Sequence, residues 1–324
     1  MNYVNFGSAG LKVSRLALGL GLRGQADEAA AQRMIERAID LGVNLLDCAN
    51  IYGPNDDRDN RGRSEVVLGK AIKGKRDDLV ITSKVASPVN RGPNDWGLSR
   101  LHIMREVERS LQRLETDHID VYLVHVFDQT TPLDETVRAL DDLVRSGKVR
   151  YVGCCNYAAW QVCRALWIAD ALHATPYMCV QNRYSLLNRN LESEMFGLIR
   201  ERGLGAMAYS PLAVGLLSGA YTPGQPMPAG TLWSRFPDQY HDATNGQKGR
   251  IINAVIQAAQ ALGKTPAQVA LAWVLSHPEI TVAITGGDTI EHLEDNLGAA
   301  ELTLDAEILD ALNAVSDTTQ NTIY

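Results

Sequence analysis

Long hydrophobic runs are missing from this chain of 324 residues. No stretch approaches the roughly 18 consecutive apolar residues that a membrane-crossing helix needs, so no span is expected. Basic runs are missing as well. The 31 Lys and Arg are interspersed with 38 Asp and Glu, for a net charge of −7, which argues against nucleic acid or an anionic membrane as partner. Residues 1–10 hold no cationic flank followed by an apolar stretch, so no secretory signal is expected. Cysteine is scarce and odd in number: Cys48, Cys154, Cys155, Cys163 and Cys179. That speaks against a disulfide framework and for a reducing, cytoplasmic setting. Adjacent Cys154 and Cys155 lack zinc spacing and read as small hydrophobes. Histidine is scarce too, and the first strand has no His-x-His pair of the kind a metal-dependent barrel hydrolase would want, so no metal is expected. No shift of composition marks a second domain, and residues 1–324 read as one.

What is present is alternation. Short apolar runs at 15–19, 43–47, 79–84, 119–124, 149–154, 177–181, 204–208 and 280–284 read as buried strands. Amphipathic helices stand between them. Asp27 opens the first, with Ala31, Met34, Ile35, Ala38 and Ile39 at helical spacing, and Gly42 ends it. Further helices are expected at 63–73, around Ile103 to Leu114, from Leu133 to a glycine stop at Gly147, and at 158–172, 191–202, 249–262, 266–276, 288–299 and 305–315. Eight strands in β-then-α order close into a barrel more naturally than they form an open sheet. Val4–Phe6 and Lys12–Val13 suggest a hairpin before the first strand. Residues 209–245 form a Gly- and Pro-rich segment too long for an ordinary connection, and loops of that length are usually functional. The expected fold is a single α/β, (β/α)8 barrel with an N-terminal hairpin and a long loop after strand seven.

One motif competes with this reading. Gly19-Leu-Gly21-Leu-Arg-Gly24 matches GxGxxG after a strand and before a helix, with Asp47 at the end of the next strand. That is the pattern of a Rossmann dinucleotide fold. Against it, the helix opens at Asp27, past the last glycine, and eight βα units exceed a six-stranded sheet.

Barrel active sites lie at the C-terminal strand ends. Asp47, Lys84 and His125 stand there on three consecutive strands, each directly after an apolar run, with Tyr52 five residues beyond Asp47. Unpaired charge there would be costly, so a cluster is expected: Asp47 paired with Lys84, and Tyr52 and His125 beside them. Singly, Asp47 also reads as a loop anchor, Lys84 as half of a structural ion pair and His125 as a core histidine. Together they suit carbonyl reduction. A free tyrosine, with a pKa of about 10, holds its proton tightly, and a neighbouring ammonium favours the phenolate. Tyr52 would then pass a proton while His125 orients the carbonyl.

These residues carry a family resemblance along nearly the whole chain. Asn44-Leu-Leu-Asp47-Cys-Ala-Asn-Ile-Tyr52-Gly53, then Gly62-Arg-Ser64-Glu65, Thr82-Ser-Lys84 and His125 resemble an aldo-keto reductase. So do Gly147-Lys-Val-Arg-Tyr-Val-Gly153 with Asn156, Gln181-Asn-Arg-Tyr184, and Ala208-Tyr209-Ser210-Pro211-Leu212 with Gly215-Leu216-Leu217-Ser218-Gly219. The resemblance implies Asp47, Tyr52, Lys84 and His125 as catalytic tetrad and NAD(P)(H) as cofactor. It implies Asn156 and Gln181 on the nicotinamide amide, Tyr209 stacked on its ring, and pyrophosphate contacts from Ser210, Leu212, Gly215, Leu216 and Leu217. Arg235 could add charge, and Gly286, Asp288, Asp295 and Asn296 match positions around the adenosine.

Two departures matter. Cys155 stands where the family usually has a serine, just before Asn156. The stretch 286–292 lacks the lysine or arginine that many relatives set against the 2′-phosphate of NADP, and it offers Asp288 instead. Asp288 points to NAD(H), although with Glu291 it also reads as a helix cap. Leu22, Arg23, Trp96, Val126, Phe127 and Trp233 are expected around the substrate, an aldehyde, ketone, sugar or secondary alcohol. Solvated loop residues would explain them as well. Some relatives of this barrel are channel subunits, so a non-catalytic, cofactor-sensing subunit is the alternative. Substrate identity, direction and oligomeric state are not legible.

Overall fold

The computed structural model describes residues 1–21, 27–54 and 58–317. Leu22, Arg23 and Gly24 lie outside the described residues, as do the side chains of Arg58, Leu232 and Arg235.

The hairpin pairs β1 (Tyr3–Asn5) antiparallel with β2 (Lys12–Ser14). Eight parallel strands then close on themselves: β3 (Leu16–Gly19), β4 (Leu45–Asp47), β5 (Val80–Val85), β6 (Ile119–Val124), β7 (Val149–Cys155), β8 (Cys179–Arg183), β9 (Gly205–Tyr209) and β10 (Val282–Thr285), with β10 returning to β3. The closed barrel excludes the open Rossmann sheet. Gly19 has a different use, since a Cβ there would run into the Ile284 side chain.

Inside the barrel, Ala17, Leu45, Val121, Leu123, Met207 and Val282 form one apolar cluster with Phe6 and Val13 from the hairpin. The hairpin therefore plugs the N-terminal end. Outside, helices α1 (Glu28–Asp40), α2 (Arg63–Ala71), α3 (Arg100–Leu114), α4 (Leu133–Arg145), α5 (Ala159–Ala171), α6 (Met195–Arg202), α8 (Gly246–Leu262), α9 (Pro266–Ser276), α10 (Ile290–Leu297) and α11 (Ala306–Ser316) cover the wall. Local chemistry sets their ends. Asp27 accepts from the Ala29 amide and caps α1, while Thr265 and Gln268 cap α9 reciprocally around Pro266. Gly147 and Gly203 take left-handed φ of 75° and 62° after α4 and α6.

Three expectations need correction. The segment 209–245, expected as a long loop, carries a 3₁₀ turn, Leu232–Arg235, and α7 (Pro237–Thr244), begun by a proline at its first position. The helix expected from 191 begins at Met195, after a 3₁₀ turn at Asn190–Glu192 whose Glu192 carboxylate is gripped by Arg189 and Tyr184. And α10 is capped by Thr289, whose hydroxyl accepts from the His292 amide, rather than by Asp288.

Candidate active site

Asp47 is the last residue of β4, Lys84 the fifth of β5, and His125 directly follows β6. Asp47 pairs in register with Thr82, which puts the side chains of Thr82 and Lys84, two apart, on one face of the wall. Lys84 is fully buried. Its Nζ lies 2.7 Å from Asp47 Oδ2 and donates to the Cys48 carbonyl at 2.9 Å. Asp47 Oδ1 accepts from Thr82 Oγ1 at 2.5 Å and from Gln181 Nε2 at 2.8 Å. Both carboxylate oxygens of Asp47 are hydrogen-bonded, which lets an ion pair survive at this depth.

The loop after β4 turns sharply. Gly53 packs against the Asn60 backbone so closely that a Cβ would not fit. This turn lays the Tyr52 ring under Lys84, with Nζ 4.6 Å from the ring centroid. The Tyr52 hydroxyl stands 3.5 Å from His125 Nε2, the long limit of a hydrogen bond. The four residues expected together are together.

The electrostatics differ from expectation at Tyr52. Burial pushes its phenol up to about 12, and the downward pull of Lys84 does not cancel it. Burial opposes the Lys84 charge too, but Asp47 and then Tyr52 outweigh burial there and hold the ammonium above lysine's ordinary range. His125 is depressed to about 3, by burial first and by Lys84 second. Among the described residues its buried Nδ1 has no hydrogen-bond partner. An orphaned N–H is worse than an orphaned lone pair, which assigns the proton of the neutral ring to Nε2, facing Tyr52.

The linkage sign follows. Unfolded chains protonate this histidine near 6.5, the native state only near 3. The unfolded state therefore binds the proton first, and native stability falls as pH drops through that window. The His125 ring resonances should stay flat between pH 8 and about 5 in an NMR titration. An inflection near the ordinary histidine value of 6.5 would refute the burial argument.

Other expected residues fall into groups. Asn156, at φ 59°, donates to the His125 carbonyl at 3.0 Å and accepts from the Tyr209 hydroxyl at 2.8 Å. Gln181 is buried, tied to Asp47, and its Oε1 lies 3.7 Å from Cys155 Sγ. The thiol thus occupies the position expected for a serine. Ser210, Ala213, Val214 and Gly215 all take left-handed φ, which curls 210–217 into a tight hook across the end of β9, where Leu216 and Leu217 bury their side chains. Trp233 donates to the Val214 carbonyl at 3.1 Å, so it braces this hook. Asn296 donates to the Gly286 carbonyl at 2.8 Å, and Asp295 accepts from Thr265 and Gln268. Asp288 is exposed just before α10. At the rim, Trp96 and Val126 are exposed, and Phe127 packs edge-on against Tyr157 and Trp160. Among the described residues no cluster of His, Cys, Asp and Glu is arranged to hold a metal. A hollow of about 570 Å³ opens at the opposite end of the barrel, beside Arg15 and Glu279, and contains none of the four.

Sequence reasoning missed Thr82, although its spacing from Lys84 on a strand was a usable signal. It also missed Asp128, whose carboxylate takes the Leu98 amide, the Thr130 amide and the hydroxyls of Thr130 and Thr131, pinning the Trp96 loop to the loop after β6.

The barrel thus gathers at one end a buried Asp–Lys pair on adjacent strand ends, a phenol beside the ammonium and a neutral histidine. Residues 15–317 match the model of the aldo/keto reductase family. The chain belongs to the aldo/keto reductase family of oxidoreductases. It is 40% identical over 324 residues to an uncharacterized oxidoreductase, YrpG, of Bacillus subtilis (strain 168), covering 97% of this chain and 96% of that one. It is 34% identical over 328 residues to a probable voltage-gated potassium channel subunit beta of Oryza sativa subsp. japonica, covering 97% and 96%. A protein of the same description from Arabidopsis thaliana is 34% identical over 315 residues, covering 93% and 92%. An aldo/keto reductase of this kind takes small carbonyl substrates and NAD(P)(H). No helix among the described residues is long and apolar enough to cross a membrane.

Proposed function

We propose that the whole chain works as one NAD(P)(H)-dependent carbonyl reductase or alcohol dehydrogenase, with Tyr52 as the proton donor. The observation that carries this reading is the Lys84 ammonium, buried against Asp47 and set 4.6 Å from the Tyr52 ring. The residues present suit the cofactor. Asn156 offers a carboxamide at the barrel mouth, Gln181 another beneath it, Tyr209 a half-exposed ring, and 210–217 a hook of left-handed backbone. The bound nicotinamide supplies or accepts the hydride.

The chain's own residues handle the proton. With a phenol at about 12, Tyr52 carries its proton at neutral pH and is ready to give it. As negative charge develops on the carbonyl oxygen, that proton moves from Tyr52 Oη to it. The phenolate left behind faces the Lys84 ammonium, which was charged before the reaction began and needs no reorganisation. Asp47 keeps that ammonium charged and in place. Neutral His125 donates from Nε2 and orients the carbonyl. Solvent returns the proton to Tyr52, and the reverse sequence oxidises an alcohol. Trp96, Phe127 and Trp233 give the rim an aromatic character suited to an apolar or sugar face.

For the cofactor, NAD(H) is preferred over NADP(H). Exposed Asp288 would repel a 2′-phosphate, and residues 286–292 contain no lysine or arginine to attract one. Titration of NADH and NADPH by fluorescence should show tighter NADH binding, followed by turnover on a panel of aldehydes, ketones and sugars. Tighter NADPH would overturn the preference and leave the reaction standing. The channel-subunit relatives support a second reading, a cofactor-sensing subunit with the same tetrad. Cofactor binding without turnover across the panel, and co-purification of a stoichiometric partner, would favour it. Five unpaired cysteines, four of them buried, suit a reducing cytoplasm.

A further inference from the structure

Behind the tetrad, in the layer between barrel wall and helices, lies a carboxylate that the mechanism does not use. Glu106, on α3, is 1% exposed. The same face of α3 buries Ile103, Val107 and Leu114 against the wall, and an apolar residue at 106 would pack there without desolvating a charge. Glu106 is gripped by two hydrogen bonds instead, and Arg105 Nε lies 4.0 Å from Oε1. Oε1 takes Arg109 Nη1 at 2.7 Å, and Oε2 takes the side-chain amide of Asn50 at 3.1 Å. Asn50 is itself 1% exposed and stands two residues before Tyr52. Among the described residues its Oδ1 has no partner, so there Glu106 holds the only hydrogen bond of that side chain.

We propose that Glu106 and Asn50 are positioning residues for Tyr52. The segment they hold also has backbone ties: the Asn50 amide donates to the Lys84 carbonyl at 3.5 Å and the Tyr52 amide to the Ala49 carbonyl at 3.1 Å. Ser64 contributes two, accepting nothing from Asn50: its amide donates to the Tyr52 carbonyl at 3.1 Å and its hydroxyl to the Ala49 carbonyl at 3.2 Å. These fix the loop at its two ends. The Asn50–Glu106 bond fixes its middle against α3, and with it the tilt that brings the phenol over to Lys84. Arg109 neutralises Glu106 from the solvent side and keeps its carboxylate aimed inward. Misplacement of a reacting group by about 1 Å can lower a rate by ~100-fold, so a bond one shell away suffices to matter.

This inference rests on the reading of Tyr52 as proton donor, and the test separates the two. Asn50→Leu, with the same branching but more bulk and no amide, and Asn50→Ala, which removes the amide without adding bulk, should each lower kcat by about 10- to 100-fold, leaving KM and cofactor affinity unchanged. Asn50→Asp sets two carboxylates face to face and should do at least as much harm. The double variant Asn50→Asp/Glu106→Gln restores a donor–acceptor pair of reversed polarity at the same total charge, and should recover most of the lost kcat. A role confined to stability would lower the melting temperature and leave kcat per folded molecule alone. A crystal structure of Asn50→Leu should show the Tyr52 ring shifted from Lys84. Parental kcat with the ring in place overturns the proposal, as does failure of the double variant to recover. If the parent turns over no carbonyl, the function reading fails by itself, and the ring position in the Asn50→Leu crystal then decides the positioning claim.

Discussion

Tyr52→Phe should lower kcat/KM for carbonyl reduction by about 10²- to 10⁴-fold, the range that a positioned proton donor contributes. Cofactor binding should persist, because no expected nicotinamide contact runs through the Tyr52 hydroxyl. The substitution removes one oxygen and leaves the ring under Lys84, so packing and the cation–ring contact survive. Its hydrogen bond to His125 Nε2 is long, at 3.5 Å, so little is lost there. Stability should therefore stay near the parent's, which makes the variant a clean probe. A tenfold loss or less would mean that water or His125 supplies the proton. With a ring held neutral down to about 3, His125 is a poor donor at neutral pH, so that outcome would overturn the electrostatic argument as well as the assignment.

The pH profile adds a constraint. A phenol pushed up to about 12 is protonated throughout the range in which the protein is handled. Reduction should accordingly be flat across neutral pH and decline only at strongly alkaline pH. The naive expectation, in which Lys84 alone acts on the phenol, puts the decline much lower. Burial was the missing quantity. A sequence shows that Lys84 follows an apolar run, but it does not show how deep the phenol lies, and depth sets the size of the desolvation that opposes the ammonium.

The same distinction separates what could be read from what could not. Eight strands were legible because each is a short apolar run between helices of clear period. The tetrad was legible because polar residues at the ends of such runs have few places to go. Long-range pairings were not. Asn50 and Glu106 are 56 positions apart, and nothing local to either announces the other. Asp295 reads as a candidate near the adenine, yet its carboxylate is drawn to the Thr265 hydroxyl and Gln268 amide at the start of α9. Asp288 and Thr289 compete for one cap, and backbone geometry, invisible in the letters, gave it to Thr289.

Lys84→Met tests the deepest part of the site. Methionine fills the space of the lysine stem but leaves Asp47 buried with no cation. Removing one partner of a buried pair typically destabilises by about 3–5 kcal/mol, because the remaining charge is uncompensated. In a chain of this size that lowers the melting temperature on the order of 10 °C. Thr82 and Gln181 still donate to Asp47, which places the effect toward the lower end. Turnover should be lost as well. The double variant Asp47→Leu/Lys84→Met then separates stability from chemistry. With no charge left in the wall, much of the stability should return, though Thr82, Gln181 and the Cys48 carbonyl lose their partners. Activity should not return, because the phenolate would have no ammonium to face. A double variant that regains stability and turnover together would show that the pair serves only to hold the barrel. A stable, inactive one is the result expected if a fold that could do without a buried salt bridge keeps one for the proton.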